Sequence, residues 1–266
     1  MVLILNEEKF AKDLYDGRNH EVKSILQKTG YVSRYLLHSL HKSDDDTYKE
    51  TIEWLRNNHT NFDESYYSNF ISDAVKIARK RPFYNIDNIK ITQLELDIIS
   101  SLNNLRAEKI LFVLLCMAKQ QRDIYGFTNG LVRYSITDLC KMARISVPSE
   151  DREYILHYII QHGLLGYPLK NDTKCLIVKF IDNKNDAVLQ INDIDCMELA
   201  YVYLNWKNNG RGFTRCQKCK KLCKQSKTRP RKYCEECARE VEKENIKTRV
   251  RRYRVKCNEN LTRQNE

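Results

Sequence analysis

Glycine and proline are scarce in this 266-residue chain, at 8 and 4 residues. So few turn formers argue against a turn-rich all-β sandwich and for long helices. Long apolar runs are missing as well. The most apolar stretch, 110–118, falls far short of the roughly 20 residues that a membrane-spanning helix needs. The N-terminal apolar residues Met1 to Leu5 pass at once into Asn6, Glu7, Glu8 and Lys9. They lack the charged start and longer apolar stretch of a signal peptide. A soluble, cytoplasmic protein with no membrane partner is therefore expected. Catalytic signatures are absent too: there is no phosphate loop, GxGxxG, HExxH or GxSxG. His38 and His41 stand one helical turn apart without a third ligand, and His157 and His162 point to different faces. The expectation is a non-enzymatic protein, with a nuclease built from scattered carboxylates as the enzymatic alternative.

Ordinary apolar and aromatic content places the chain among folded proteins. Residues 1–85 read as a helical N-terminal domain. The stretches 48–57 and 67–79 carry apolar residues at three- and four-residue spacing, and Ser43 before Asp44, Asp45 and Asp46 is a helix start. Pro82 and the following 83–87 interrupt the pattern and set a boundary near 85. Residues 86–206 form the middle domain. Helices are expected at 92–104 and 106–121. A short helix from Ser135 to Arg144 follows, then a turn, then a helix from Ser149 to His162 stopped by Gly163. Strands are expected at 164–168 and 174–181, with 187–191 as a third.

Cysteine is unevenly spent. Cys116, Cys140, Cys175 and Cys196 are scattered among apolar neighbours, whereas six of the ten cysteines fall between Cys216 and Cys257. Cys216 and Cys219 form one CxxC pair and Cys234 and Cys237 a second, fourteen residues later. Two such turns bring four thiolates to one ion and leave no open coordination position. The expected cofactor is thus one structural zinc ion. Cys223 and Cys257 are read as spare thiols, Cys223 being the competitor for a ligand position.

Charge is just as uneven. Residues 207–256 hold 19 Lys and Arg against 5 Asp and Glu, while the rest of the chain holds 27 against 30, for a net +11 overall. That asymmetry is the electrostatic footprint of nucleic-acid contact. Between the cysteine pairs stand Lys220, Lys221, Lys224, Lys227, Arg229, Arg231 and Lys232. The second pair then opens a helical pattern expected at 236–256, acidic early and basic late, with Lys247, Arg249, Arg251, Arg252, Arg254 and Lys256. Ile246, Val250, Tyr253 and Cys257 share one face of it. Residues 210–257 are read as one module and 258–266 as a disordered tail.

Two resemblances follow from this layout. Helix, short helix, turn, helix and hairpin over about 105–192 resembles a winged helix-turn-helix. The helix at 149–162, in the recognition position, opens with Glu150, Asp151 and Glu153 against Arg152 alone, which repels phosphates; Lys170 and Lys174 on the hairpin are the friendlier candidates. DNA reading by this domain and a packing or dimerisation platform both stay open. The cysteine pairs running into a helix resemble a treble-clef or zinc-ribbon finger. The fold expected is mainly α, with a winged-helix-like α+β middle domain and a C-terminal zinc finger. In a Lys-, Asn- and Ile-rich chain, the combination is similar to DNA-binding proteins of bacteriophages and mobile elements. It implies a regulatory or replication protein in a bacterial or infected host cell, with DNA favoured over RNA as partner. The alternative is an adaptor that docks on an acidic protein such as a polymerase or replisome subunit.

Overall fold

A computed structural model describes residues 3–18, 24–169, 175–226 and 230–264, with side chains as far as Tyr253 and excepting Met197. Helices dominate it. The N-terminal unit consists of α1 (Glu7–Tyr15), α2 (Ile25–Arg34) with a π-turn at Tyr35–Ser39, α3 (Asp44–Asn58) and α4 (Glu64–Lys80). Asn6, Ser43 and Asp63 cap α1, α3 and α4 by accepting main-chain N–H bonds, as the sequence around Ser43 leads one to expect. Leu14, Val32, Leu36, Ile52, Trp54, Leu55 and Ile71 meet in its core. Beside them the buried Arg34 forks onto Glu7 at 2.7 and 2.9 Å.

The middle unit runs β1 (Ile89–Thr92), α5 (Gln93–Ser100), α6 (Leu105–Tyr125), β2 (Leu131–Arg133), α7 (Ile136–Met142), α8 (Ser149–Gln161), β3 (Leu165–Gly166), β4 (Cys175–Val178), β5 (Ala187–Ile191), a 3-10 turn (Asp195–Glu198) and α9 (Leu199–Lys207). Its axis is α6, buried at every position from 110 to 120. Such a helix has no solvent face, which explains its continuous apolar sequence. Ser135 caps α7, and Gly163 ends α8 in the left-handed region at φ 73°, where glycine bears no side-chain penalty.

Three features of pairing and packing were not written in the sequence. The strand at 187–191 forms, but it lies antiparallel to β1, with Ile89 opposite Ile191, rather than extending the hairpin. The third member of the hairpin sheet is instead β2, giving the order β2-β4-β3. Neither β1 nor β2 exceeds four residues, too few for alternation to announce them. Leu3 and Leu5 pack in the core of the middle unit, across the boundary near 85; the Ile86 N–H donates to the Leu5 carbonyl at 2.9 Å.

One buried ion pair joins several elements of this unit. Lys119 on α6 donates to Glu95 (2.7 Å), to the Lys90 carbonyl (2.6 Å) and to the Asp182 carbonyl (3.2 Å). Glu95 in turn accepts the N–H groups of Thr92 and Asp182.

The C-terminal part comprises β6 (Phe213–Arg215), β7 (Leu222–Lys224) and α10 (Glu235–Gln264). α10 continues past Lys256 into the stretch read as a disordered tail, because no Gly or Pro after Glu235 interrupts it. Among the described residues no helix is long and apolar enough to cross a membrane.

Candidate metal centre and basic surface

β6 and β7 pair as a hairpin, Thr214 opposite Cys223, and the turn between them carries Cys216 and Cys219. The Cys216 N–H donates to the Lys221 carbonyl (2.9 Å) and the Lys220 N–H to the Cys216 carbonyl (3.0 Å). Closing this turn puts Lys220 at φ 63°. The Gln217 N–H donates to the Lys232 carbonyl at 2.9 Å, which draws the second cysteine pair against the first. Cys234 stands just before α10 and Cys237 in its first turn, with the Ala238 N–H donating to the Cys234 carbonyl at 2.9 Å.

The four sulfurs all lie within 4.8 Å of one another, and those of Cys219 and Cys234 are 3.6 Å apart. A tetrahedron of thiolates at about 2.3 Å from an ion has sulfurs about 3.8 Å apart, so this set can hold one metal ion. Cys223 stands outside the set. It packs against the cluster, but its thiol donates to the Thr214 carbonyl at 3.3 Å and its sulfur is not one of the four that gather. The side chain of Cys257 lies outside the described residues.

The site is prepared for anionic sulfur at one position. Burial raises the Cys216 thiol, but N–H groups of Cys219, Cys234 and Lys218 outweigh it and bring the group down to about 6. Burial, with the neighbouring thiols adding to it, pushes Cys219 and Cys237 up. A metal ion would replace the protons on those two.

Residues that motif spacing does not flag fix the hairpin to the middle unit. Arg215 on β6 forks onto the buried Asp195 at 2.8 and 3.3 Å. Leu222 inserts into the main core. The Phe213 ring meets Tyr201 of α9 at 5.5 Å between centroids, and the half-buried Tyr233 packs on the cysteine cluster; both aromatics are packing residues here. Arg144 pairs with Glu198 at 2.8 and 2.7 Å while lying over the Tyr201 ring. Only the fold brings 144, 195 and 198 to the hairpin, so sequence offered no signal for them.

Of the predicted basic residues, Lys220, Lys224, Arg231, Lys232, Lys247, Arg249, Arg251 and Arg252 are exposed. Among the described residues, none of these eight has a carboxylate within ion-pair distance. The ion pairs on this module belong instead, among the described residues, to Arg215, Lys218, Lys221 and Arg239. Arg254 and Lys256 sit on α10, their side chains outside the described residues, and Lys170, Lys174, Lys227 and Arg229 lie outside them altogether.

On α8, Glu150, Asp151 and Glu153 face solvent, whereas Arg152 turns inward toward the Val147 carbonyl and the Thr137 hydroxyl, each at 3.4 Å. Apart from the cysteines, no group of three or more His, Cys, Asp or Glu ligand atoms gathers among the described residues. Comparison with protein-family models, curated proteins and solved structures gave no match to the chain.

Proposed function

We propose that the chain is a non-enzymatic nucleic-acid-binding protein, with DNA the favoured partner, whose C-terminal module is a structural zinc finger that contacts phosphates. The observation that carries this reading is the group of eight exposed cations on the hairpin, on the segment before α10 and on α10, without an ion pair among the described residues. Unpaired cations so dense repel one another, and a polyanion relieves that repulsion while releasing its own counterions. Zinc is the natural occupant of four thiolates in a closed tetrahedral shell. Treble-clef or zinc-ribbon geometry is the reading of a hairpin knuckle followed by ligands that open a helix. The order α6, β2, α7, α8, β3, β4 supports a winged helix in the middle unit. Its acidic α8 leaves that unit to a packing or positioning role. Regulation or replication in a phage or mobile element is the setting that fits the layout.

Fluorescence anisotropy tests the reading. A labelled mixed-sequence duplex and the matching single strand are titrated with the full chain and with a fourfold variant, Lys220→Gln, Lys232→Gln, Arg251→Gln and Arg252→Gln, at about 50 and about 200 mM salt. The expected result is steeply salt-dependent binding by the natural chain, with the slope for duplex lowered by about three to four in the variant. Equal binding by both proteins would sink the phosphate-contact reading. Removing the module whole is a poorer control, because Leu222 is part of the main core.

A second reading has its own support. Ile246, Val250 and Tyr253 are 52%, 44% and 71% exposed on α10, an apolar face that an adaptor would present to an acidic protein helix. Saturable binding to such a protein together with weak, salt-insensitive DNA binding would favour it.

A further inference from the structure

One end of the basic surface lies off the zinc module. Arg106 and Lys109 stand in the opening turns of α6, Arg144 at the turn from α7 towards α8, and Lys224 at the end of β7. Lys109 is half-buried, and its Nζ donates to the Arg144 carbonyl at 3.0 Å. Arg144 and Lys224 also line a groove of about 310 Å³ between the hairpin and the middle unit. The carboxylates of that groove are already engaged: Glu198 by Arg144, Glu235 by Arg239 and Glu236 by Lys221. Among the described residues, Arg106, Lys109 and Lys224 have no carboxylate within ion-pair distance.

Gathering these charges works against the fold. Burial first, and then the charges of Arg106, Arg144 and Lys224, lower the pKa of Lys109 from its ordinary value. Arg106 also occupies the first helical turn, where the macrodipole disfavours a cation. Packing does not require it, since Arg106 is exposed. An oxyanion among the four would remove the repulsion and add charge-assisted hydrogen bonds.

We propose that Arg106, Lys109, Arg144 and Lys224 form a second phosphate-binding site, which takes a backbone phosphate of the nucleic acid held by the zinc module. The inference rests on the nucleic-acid reading above and extends it. The contact surface becomes a track from α10 across the hairpin to the start of α6. The ligand then meets the middle unit at that basic edge, and the acidic first turn of α8 is not needed as a reader. This track was not legible in the sequence, because the four residues come from three separate stretches that carry no common motif.

The test compares the natural chain with Arg106→Gln/Lys109→Gln and with Arg251→Gln/Arg252→Gln on α10. Each full-length protein is titrated against the labelled duplex at two salt concentrations and, separately, against inorganic phosphate by calorimetry. Metal content and thermal melting report folding; if the α6 variant fails to fold, the exposed Arg106→Gln alone replaces it. The expected outcome is a roughly tenfold or greater loss of duplex affinity and a salt slope lowered by about two for the α6 variant. An α6 variant that binds duplex like the natural chain, while the α10 variant is weakened, overturns this site and leaves the proposed function standing. If the natural chain ignores duplex but binds inorganic phosphate, and the α6 variant does not, the site stands as one for free phosphate and the nucleic-acid reading falls. Binding of neither ligand overturns both.

Discussion

At the scale of single residues, the five cysteines of the hairpin region divide four to one. The Cys223 thiol is committed to a main-chain carbonyl, so Cys223→Ser should retain one metal ion per chain. Cys219→Ser, which removes a ligand, should lose tight metal binding; metal content after gel filtration distinguishes the two. Proton competition gives a second expectation. Cys216 is brought to about 6 and enters as thiolate above that pH, whereas Cys219 and Cys237, both raised, must each release a proton to the solvent. Metal affinity should therefore climb with pH through neutrality by at least about two protons per ion, and metal-dependent stability should be lost as pH falls. Chelator competition across a pH series measures the slope, and a flat profile would contradict this assignment of protons. Lys119 offers a third. Its ammonium and Glu95 are 3% and 0% exposed, so Lys119→Ala leaves a buried carboxylate without its counter-charge. A loss of about 3–5 kcal/mol is expected from urea unfolding.

At the scale of elements, legibility followed the range of the interactions. The starts of α3 and α7 are written within four residues, as a capping side chain and the N–H it accepts, and the stop of α8 is a single glycine. The cluster of four cysteines that could hold a metal ion was readable for the same reason: each CxxC is one local turn, and only the meeting of the two turns needed the fold. β1 was not readable, because its partner lies about a hundred residues away and its own four residues fit several roles. α10 has no glycine or proline to end it and little neighbouring structure to hold it. Its first turn is fixed by Cys234 and Cys237. An exposed helix of this kind depends on its nucleus. Removing the metal with a chelator should therefore lower the helical circular-dichroism signal and abolish duplex binding. The apolar core around α6 holds no metal ligand, so its melting transition should remain. Loss of that transition along with the metal would show that the two units fold as one.

At the scale of the whole molecule, the module is braced on the middle unit and is no tethered finger. Leu222 is shared with the main core, Phe213 and Arg144 converge on Tyr201, and Arg215 clamps Asp195. Bracing matters for the phosphate track proposed above, because cations held in a fixed relation would meet successive phosphates without first having to be ordered. Arg215 is the bond to cut, since its guanidinium reaches the buried Asp195 and the Lys220 carbonyl of the knuckle together. Arg215→Gln removes one cation, which by itself lowers a salt slope by about one. It also leaves Asp195, 2% exposed, without its partner. Arg215 is 51% exposed, so solvent screens the pair and the stability loss should stay near about 1–2 kcal/mol rather than the full penalty of a buried pair. Metal content should be unchanged, because no ligand is touched. Duplex affinity should fall further than for Lys232→Gln, which deletes one exposed cation and disturbs no brace. Limited proteolysis around residues 207–212 should quicken in the Arg215 variant alone. Equal affinity losses in the two variants, with equal cleavage rates, would mean that the module acts as an independent finger and that the shared track is not rigid.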